Sequence, residues 1–277
     1  MDKFKLVNFA KSDDKIITQE TDLCICIEKD GFTFSLISNY EVKALGEFTT
    51  NLNSDITSVM SNLRSCFNSI DIRLFNFANI RIIIQTSKNI FVPYKLYDNT
   101  KTKEYLRSVA LISGSEVILE SISDRLDIVS VFTIPMYLHS GIKILMPKAK
   151  FVSGQQVMAE YGFEISKLTG NSAVLLKRDK SCDLVIYKAN QFTYSNTFNF
   201  SNENDLIYNI IFAFEQLGID TEEITFLITG QEYTFEEKQS LRKYIKNVSY
   251  SNPMEDVRVG YELDGLNLQK YFLTLVK

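Results

Sequence analysis

Residues 23–38 read LCICIEKDGFTFSLIS, two apolar runs on either side of an Asp30-Gly31 pair. An Asp-Gly pair between runs of hydrophobic residues is typical of a β-hairpin, because glycine tolerates the positive φ that a tight turn needs. The stretch therefore predicts two antiparallel strands joined by a short turn. A third strand is expected near residues 42–50, where apolar residues recur.

A helix and a buried strand are predicted after this hairpin. Residues 55–67 carry apolar side chains at helical spacing, and Asn53, Ser54 and Asp55 are the alternative N-caps. Residues 80–85 form an apolar run of strand length. The first part of the chain therefore contains three antiparallel strands, a helix and a further buried strand.

The same order of elements recurs about 150 residues later in the chain. Residues 203–217 have strong helical periodicity, with Gly218 as the predicted C-cap. The helix-start acids Asp55 and Asp205 are 150 positions apart. The strands expected around this second helix are residues 173–177, 183–188, 191–200 and 224–230. The sequence therefore predicts an internal duplication.

Each repeat has the core elements of a ribonuclease-H-like unit. Two such units in tandem resemble the superfamily of actin, hexokinase and Hsp70, and within it the pattern is closest to the actin-like pilus-assembly proteins of the PilM type. We therefore predict an α/β fold of two tandem ribonuclease-H-like lobes in an actin-like (ASKHA) duplicated architecture. The first lobe is expected to span residues 1–168, with a small inserted subdomain at about 86–123, and the second lobe residues 169–277.

The segment between the repeats carries the rest of the resemblance. A buried strand is expected at 127–135, the start of a helix at 136–140 and a longer helix at about 154–167. The insert reads Val-Pro-x-x-Leu-Tyr over residues 92–97, and a Tyr-Leu pair follows it. Lobe order and insert together are similar to an uncharacterised family of Bacteroidota proteins, a domain of unknown function. That resemblance implies a fold and no established activity.

Composition and charge disfavour several classes of function. The 277-residue chain carries 30 Lys+Arg and 34 Asp+Glu, a formal net charge of −4, and its sequence pI is near 5.3. This balance lacks the positive field of a general nucleic-acid binder. No apolar segment approaches the ~20 residues of a membrane-spanning helix, and the N-terminus lacks the apolar run of a signal peptide. A globular cytoplasmic protein is expected.

Most familiar catalytic motifs are missing from the sequence. His139 is the single histidine, so a site built from two histidines does not exist within one chain, and a packing or surface role on a helix is expected. No two glycines are separated by one residue, which excludes the Gly-x-Gly loops of dinucleotide-binding proteins and kinases. The four cysteines show no CxxC spacing and are expected to be small core residues. The acidic pairs Glu222-Glu223 and Glu236-Glu237 are expected on a solvated surface.

The resemblance implies where a nucleotide would bind. Active members of the superfamily hold phosphates on two Asp-x-Gly-Thr/Ser hairpins, because glycine opens the backbone amides to phosphate, the hydroxyl donates to it and the aspartates organise hydrated Mg²⁺. The two hairpins here read IEKDGF at residues 27–32 and KRDKSC at residues 177–182. Phe32 replaces the small hydroxyl residue, and the second hairpin lacks glycine. Of the Gly-Gly element that usually follows the closing strand, only Gly230 remains.

These positions can also be interpreted as having a structural role without ligand binding. Asp30-Gly31 is typical of a hairpin turn, the cations beside Asp179 of a solvated turn, and Gly230 of a strand end. On this interpretation the protein is a non-catalytic cytoplasmic scaffold that binds an unidentified protein partner and no cofactor. The candidate interlobe or nucleotide positions are Glu28, Asp30, Gly31, Lys177, Asp179 and Gly230.

The alternative is a divergent Mg-ATP-binding ATPase or small-molecule kinase that uses the cleft between the lobes. Glu28 or Asp30 would then join Asp179 around Mg²⁺, and Lys177 would contact a phosphate. A third interpretation, regulation of RNA processing or modification through protein contacts, is not separated from the scaffold by the sequence. The C-terminal residues 262–267 and 271–276 are expected either to complete the second sheet or to act as a contact element.

Overall fold

The structure is a computed structural model that describes residues 4–13, 16–52, 55–74, 76–231, 234–253, 257–260, 263 and 265–276. Contacts between residues divide the chain into two α/β units. Unit 1 comprises residues 1–154, 254–267 and 273–277, and unit 2 comprises residues 155–253 and 268–272. The lobe boundaries expected from the sequence stay predictions.

The described elements of both units are a mixture of strands and helices, and each unit contains three consecutive strands followed by a helix. The strands are β1 (Phe4–Lys11), β2 (Asp22–Glu28), β3 (Gly31–Ser38), β4 (Glu41–Thr50), β5 (Ile80–Ile84), β6 (Asn89–Pro93), β7 (Glu116–Ser123), β8 (Ile128–Pro135), β9 (Lys150–Ser153), β10 (Ser172–Lys177), β11 (Ser181–Lys188), β12 (Gln191–Asn199), β13 (Thr225–Gly230), β14 (Asn247–Tyr250) and β15 (Arg258–Val259). The helices are α1 (Ile56–Asn68), α2 (Thr102–Arg107), α3 (Met136–Leu145), α4 (Gly154–Thr169), α5 (Glu203–Leu217), α6 (Phe235–Arg242) and α7 (Phe272–Leu275). Within the described ranges, every helix is too short or too polar to cross a membrane.

The two units repeat one sheet topology. In unit 1 the strands run β4-β3-β2-β5-β9, and in unit 2 they run β12-β11-β10-β13-β14. In both sheets the first three strands are antiparallel and the last two join in parallel. Unit 1 adds β1, which pairs antiparallel with β4. The predicted α/β duplication of ribonuclease-H-like units is therefore confirmed.

Each sheet contains a fifth strand that the sequence did not reveal as such. β9 and β14 have four residues each, and each pairs in parallel with the strand before it in the sheet. A four-residue segment is too short to show a period, so its assignment depends on the neighbouring strand.

The matched helices begin with side-chain caps. Asp55 accepts a hydrogen bond from Ser58 N–H at 2.9 Å, so Asp55 is the cap among the three candidates, of which Asn53 and Ser54 lie outside the described residues. In unit 2 the cap is Asn202, whose Oδ1 accepts from Asp205 N–H at 3.0 Å. Asp205 lies in the first turn of α5, as expected of a helix-start acid, but the residue that caps the helix as Asp55 does in unit 1 is Asn202.

The core of unit 1 is a phenylalanine cluster between the sheet and α1. Phe67 on α1 stacks on Phe32 with ring centroids 5.5 Å apart and contacts Phe34 at 4.9 Å. Phe48 on β4 completes the group, and all four rings are buried. In unit 2, Phe214 on α5 contacts Phe226 on β13 with ring centroids 6.0 Å apart. The residues around that pair are mostly aliphatic.

The insert of unit 1 forms a small sheet with the order β6-β8-β7. A separate apolar cluster of Val92, Leu106, Val129 and Val131 lies between this sheet and α2. Residues 128–135, which the sequence analysis placed after the insert, are the central strand of its sheet. That strand also contributes Phe132 and Ile134 to the main core of unit 1.

The C-terminal segment does not complete the second sheet as a strand. Residues 258–259 pair in parallel with β4 of the first sheet, and residues 272–275 are helical. Within unit 1, Ser35 Oγ donates to Thr274 O at 2.8 Å. Within unit 2, Thr229 Oγ1 donates to Gln269 Oε1 at 3.0 Å. Of the residues predicted here, Glu262 and Asp264 lie outside the described ones.

Candidate functional site

The first candidate hairpin joins β2 to β3 through the two turn residues Lys29 and Asp30. Glu28 pairs with Gly31 at the last ladder position, and Glu28 is half-buried. Both turn residues are exposed. The Asp30 carbonyl accepts a hydrogen bond from Thr50 N–H at 3.0 Å, which ties the turn to the end of β4.

The backbone of β4 passes so close to Gly31 that this position requires glycine. A Cβ atom at Gly31 would lie 1.9 Å from the Phe48 carbonyl oxygen, so no other residue fits without a backbone shift. The next residue, Phe32, is buried and stacks on Phe67. Phe32, which the resemblance places where a phosphate-binding hydroxyl would be expected, is therefore part of the hydrophobic core.

The second candidate hairpin joins β10 to β11 and has the same backbone frame. Arg178 N–H donates to Ser181 O at 2.8 Å across the turn residues Asp179 and Lys180. Phe200 N–H donates to Lys180 O at 3.1 Å, as Thr50 does to Asp30 in unit 1. Lys180 thus takes the place of Asp30, and the acidic residues of the two hairpins do not occupy equivalent positions.

Arg178 is bound by acceptors of its own hairpin. Its guanidinium forms a two-pronged ion pair with Asp183, and its Nε donates to Ser181 Oγ at 3.0 Å. Asp183 has a side-chain exposure of only 5%. It also accepts from Thr197 Oγ1 at 2.6 Å, and that hydroxyl accepts from Gln155 Nε2 at 2.7 Å. The charges are therefore neutralised within unit 2.

Lys177 is likewise engaged by a carboxylate. The residue is 8% exposed, and its Nζ forms an ion pair with Glu237 Oε1. Glu237 Oε2 accepts from Thr234 N–H at 2.7 Å, and Thr234 Oγ1 accepts from Glu237 N–H at 3.2 Å. This reciprocal pair is a capping box at the start of α6. An anion at Lys177 would compete with a carboxylate that already caps a helix.

Gly230 ends β13 beside Lys177. Its φ is +92°, and a Cβ atom there would lie 2.3 Å from the Lys177 carbonyl oxygen. The next residue, Gln231, donates its N–H to that same oxygen at 3.0 Å. In unit 1 the Gln85 N–H approaches Ile27 O in the same way, at 3.5 Å, and Ile84 occupies the glycine position. The glycine is thus required by the chain geometry of unit 2.

The remaining chemistry-bearing side chains are held in apolar surroundings. His139 lies on α3 with its ring 5.1 Å from Phe151, and burial together with Lys143 lowers the pKa of its imidazole. All four cysteines are buried and unbridged. Burial raises the pKa of Cys66 and of Cys182 to about 12. A thiol with so high a pKa is a poor nucleophile at neutral pH.

The described side chains contain no group of three or more His, Cys, Asp or Glu that is placed to hold a metal ion. The candidate acids Asp30 and Asp179 lie in separate turns, each exposed.

Comparison with solved structures identifies the class of protein. A Bacteroides thetaiotaomicron protein with actin-like ATPase fold and unknown function is 19% identical, with a TM-score of 0.77 over 94% of this chain and 97% of that chain. The PilM-PilN type IV pilus biogenesis complex contains a chain that is 12% identical, with a TM-score of 0.61 over 92% and 96%. The protein therefore has an actin-like ATPase fold.

A family can also be stated. Residues 10–248 match the model of a family described as Protein of unknown function (DUF3822), and the chain belongs to this family. Among curated proteins no significant match is found. The resemblance stated from the sequence is confirmed at the level of fold and family.

Sequence reasoning missed two carboxylates that bind the cations of the second hairpin, Glu237 on α6 and Asp183 on β11. Glu237 was expected on a solvated surface, and this was wrong, because it binds Lys177 and caps α6. Its capping role was visible in the Thr-x-x-Glu spacing from Thr234. Asp183 was assigned only to a strand, although a charged residue in an apolar strand indicates a partner, which is Arg178.

Proposed function

We propose that this protein is a non-catalytic cytoplasmic interaction protein, in which an actin-like scaffold holds a protein partner and does not turn over nucleotide. The observation that carries the proposal is the state of the second hairpin. Lys177 is paired with Glu237 and Arg178 with Asp183, so these two cations are already neutralised.

The chemistry of phosphate binding supports this proposal. A phosphate loop needs backbone amides that the ligand can approach and cations that face it. In the first hairpin Gly31 is packed against the Phe48 carbonyl and Phe32 lies in the core. In the second, an anion at Lys177 would compete with Glu237, whose other carboxylate oxygen accepts from Thr234 N–H in the capping box of α6.

A protein partner is supported by one of the structural neighbours. The chain of the PilM-PilN complex was solved bound in an assembly with another protein. We extend to the present protein only the general feature, which is an actin-like scaffold that binds a protein. The four unbridged, buried cysteines are in keeping with a reducing compartment.

The proposal is tested by thermal unfolding with and without millimolar Mg-ATP and Mg-ADP, together with an assay of phosphate release. We expect no shift and no release above buffer. A ligand present at about 100 times its dissociation constant stabilises a fold by about 2.7 kcal/mol, which raises the melting temperature by several degrees. The method would therefore detect binding.

A double variant distinguishes the scaffold from the alternative, a Mg-ATP-dependent enzyme. If the wild type shows a shift and phosphate release, and Asp30→Asn with Asp179→Asn abolishes both, the protein is a Mg-ATP-dependent enzyme and the proposal is wrong. A partner obtained by affinity purification must bind the purified chain without nucleotide. A partner that binds only when ATP is added would also contradict the proposal.

A further inference from the structure

The sheet of unit 2 ends on β12, and within the described ranges no strand pairs with its outer side. In unit 1 the equivalent strand, β4, is covered by β1 from Phe4 to Lys11. An uncovered edge presents backbone N–H and C=O groups that another strand recognises. The internal repeat therefore shows that such an edge accepts an antiparallel strand over most of its length, and the two-residue β15 adds a short parallel pairing at Glu41 and Val42.

The other outer strands that the structure describes carry features that prevent edge-to-edge pairing. β1 has exposed lysines at positions 5 and 11 and a register shift after Leu6, and β7 carries Glu116 and Glu120. β6 has five residues and ends in Pro93, and β9 and β14 have four each. Charges, bulges, proline and short length are the usual protections of an edge.

β12 lacks these protections over most of its length. Its nine residues, QFTYSNTFN, include no charge and no proline. The one irregularity lies near its start, opposite Ile186 and Tyr187, and the six residues from Tyr194 to Asn199 pair regularly with β11. A long, uncharged, regular edge strand is the kind that pairs with another chain.

The direction of the backbone groups follows from the ladder. Phe200 N–H donates to Lys180 O, so the even-numbered residues from 194 to 198 bond to β11 and the odd-numbered ones point outward. The Thr197 N–H, which by this count faces outward, is met by the side-chain oxygen of Asn196 at 2.9 Å. A pairing strand would replace that local hydrogen bond.

Aromatic side chains lie beside this edge on the face that packs on α5. Tyr194 and Phe198 stack with centroids 6.4 Å apart, next to the core of unit 2. On α5, Tyr208 and Phe212 stack at 5.8 Å and are 65% and 48% exposed. A cleft of about 500 Å³ joins the end of β12 to Tyr208. Exposed aromatic rings beside an open edge indicate a contact surface.

We propose that β12 pairs antiparallel with β12 of a second copy of this chain, about a two-fold axis at Asn196, and so joins two sheets into one. The outward groups then place Ser195 opposite Thr197 of the second copy. The same register places Tyr194 opposite Phe198, in the close pairs where aromatic side chains stabilise a sheet. The proposal goes beyond the proposed function and does not depend on nucleotide binding.

The lack of charge points to a second copy as the occupant. In a two-fold pairing the same strand faces itself, so a residue on the axis meets its own mate. A charged residue there would repel its copy, whereas a strand of another protein could carry the opposite charge. Asn196 and the whole of β12 are uncharged, which permits self-pairing without repulsion.

The test uses light scattering of the full-length protein over a series of concentrations. We expect the wild type to reach twice the 31.8 kDa chain mass. Asn196→Lys and Asn196→Asp are each expected to have the single-chain mass at the same concentrations, because like charges meet on the axis. A mixture of the two variants should regain the double mass. Gln191→Lys, exposed on the same strand but away from the axis, is the control that keeps it.

Disulfide trapping gives a second, independent measurement. In the proposed register the two Asn196 Cα atoms form a close pair, within the reach of a disulfide. Under mild oxidation Asn196→Cys should therefore give a covalent dimer, and Gln191→Cys should not. The native cysteines are buried and give little background.

Three outcomes would overturn the proposal. The wild type could keep the single-chain mass at its highest soluble concentration, which would leave the edge to a segment of another protein. Asn196→Lys could remain a dimer, which would place the interface elsewhere. The mixture of the two variants could keep the single-chain mass although circular dichroism shows both variants to be folded. This result would show that the two-fold axis does not lie at Asn196.

Discussion

In unit 1 the turn between the first two repeat strands is held by apolar contacts, with Gly31 against Phe48 and Phe32 stacked on Phe67. In unit 2 the equivalent turn is held by charges, with Arg178 on Asp183 and Lys177 on Glu237. Both hairpins nevertheless keep the same backbone frame and the same tie to the third strand. The same topology therefore tolerates two different chemistries at equivalent turns.

The largest expected effect comes from the apolar side of this comparison. Phe67→Ala removes a fully buried ring that contacts Phe32, Phe34 and Phe48, and we expect a loss of about 4 kcal/mol in the free energy of unfolding. Urea denaturation measures this loss. Leu168→Ala, at a side chain that is 84% exposed, should change stability by less than about 0.5 kcal/mol. Equal effects would contradict a core role for Phe67.

The contribution of the ion pairs to the second hairpin is tested by Asp183→Ala. The change leaves the Arg178 guanidinium without its carboxylate and the Thr197 hydroxyl without an acceptor, so we expect a loss of about 3 kcal/mol. Glu222→Ala removes an exposed ion pair with Lys246 and should cost less than about 1 kcal/mol. If the two variants have the same urea midpoint, the second hairpin is not held by its charges.

A smaller effect separates the equivalent turn positions Gly31 and Ser181. Gly31→Ala places a methyl group against the Phe48 carbonyl, and we expect it to cost about 2 kcal/mol. Ser181→Ala removes only the hydroxyl that accepts from Arg178, which should cost about 1 kcal/mol. The two melting temperatures measure the difference. A larger loss at Ser181 would reverse our account of which hairpin depends on close backbone packing.

Much of the fold followed from patterns of short range. The structure confirmed the hairpin at residues 23–38 and the helix at 203–217 with its Gly218 cap. These elements could be predicted because hydrophobic periodicity and turn residues are local signals. The duplication was confirmed as well. It could be predicted because both repeats carry those local signals in the same order along the chain. The fifth strands β9 and β14 were missed as members of their sheets, since four residues carry no period of their own.

The candidate site was less accessible to sequence reasoning. The residues of both hairpins were found through the resemblance, but what each one contacts was not. Glu237 is 60 positions from Lys177, and the Phe48 carbonyl that requires Gly31 belongs to another strand. Such contacts depend on which strands and helices lie beside each other in the folded protein.

By itself the sequence determined that this chain forms two α/β repeats with turns where Gly and Asp allow them, because turn chemistry and hydrophobic period act over a few residues. Only the tertiary structure decided that Phe32 is a core residue, that Lys177 and Arg178 are neutralised, and that β1 covers one sheet while no described strand covers the edge of β12. The physical reason is that burial, ion pairing and edge coverage depend on groups far apart along the chain, whose approach is set by the packing of whole elements.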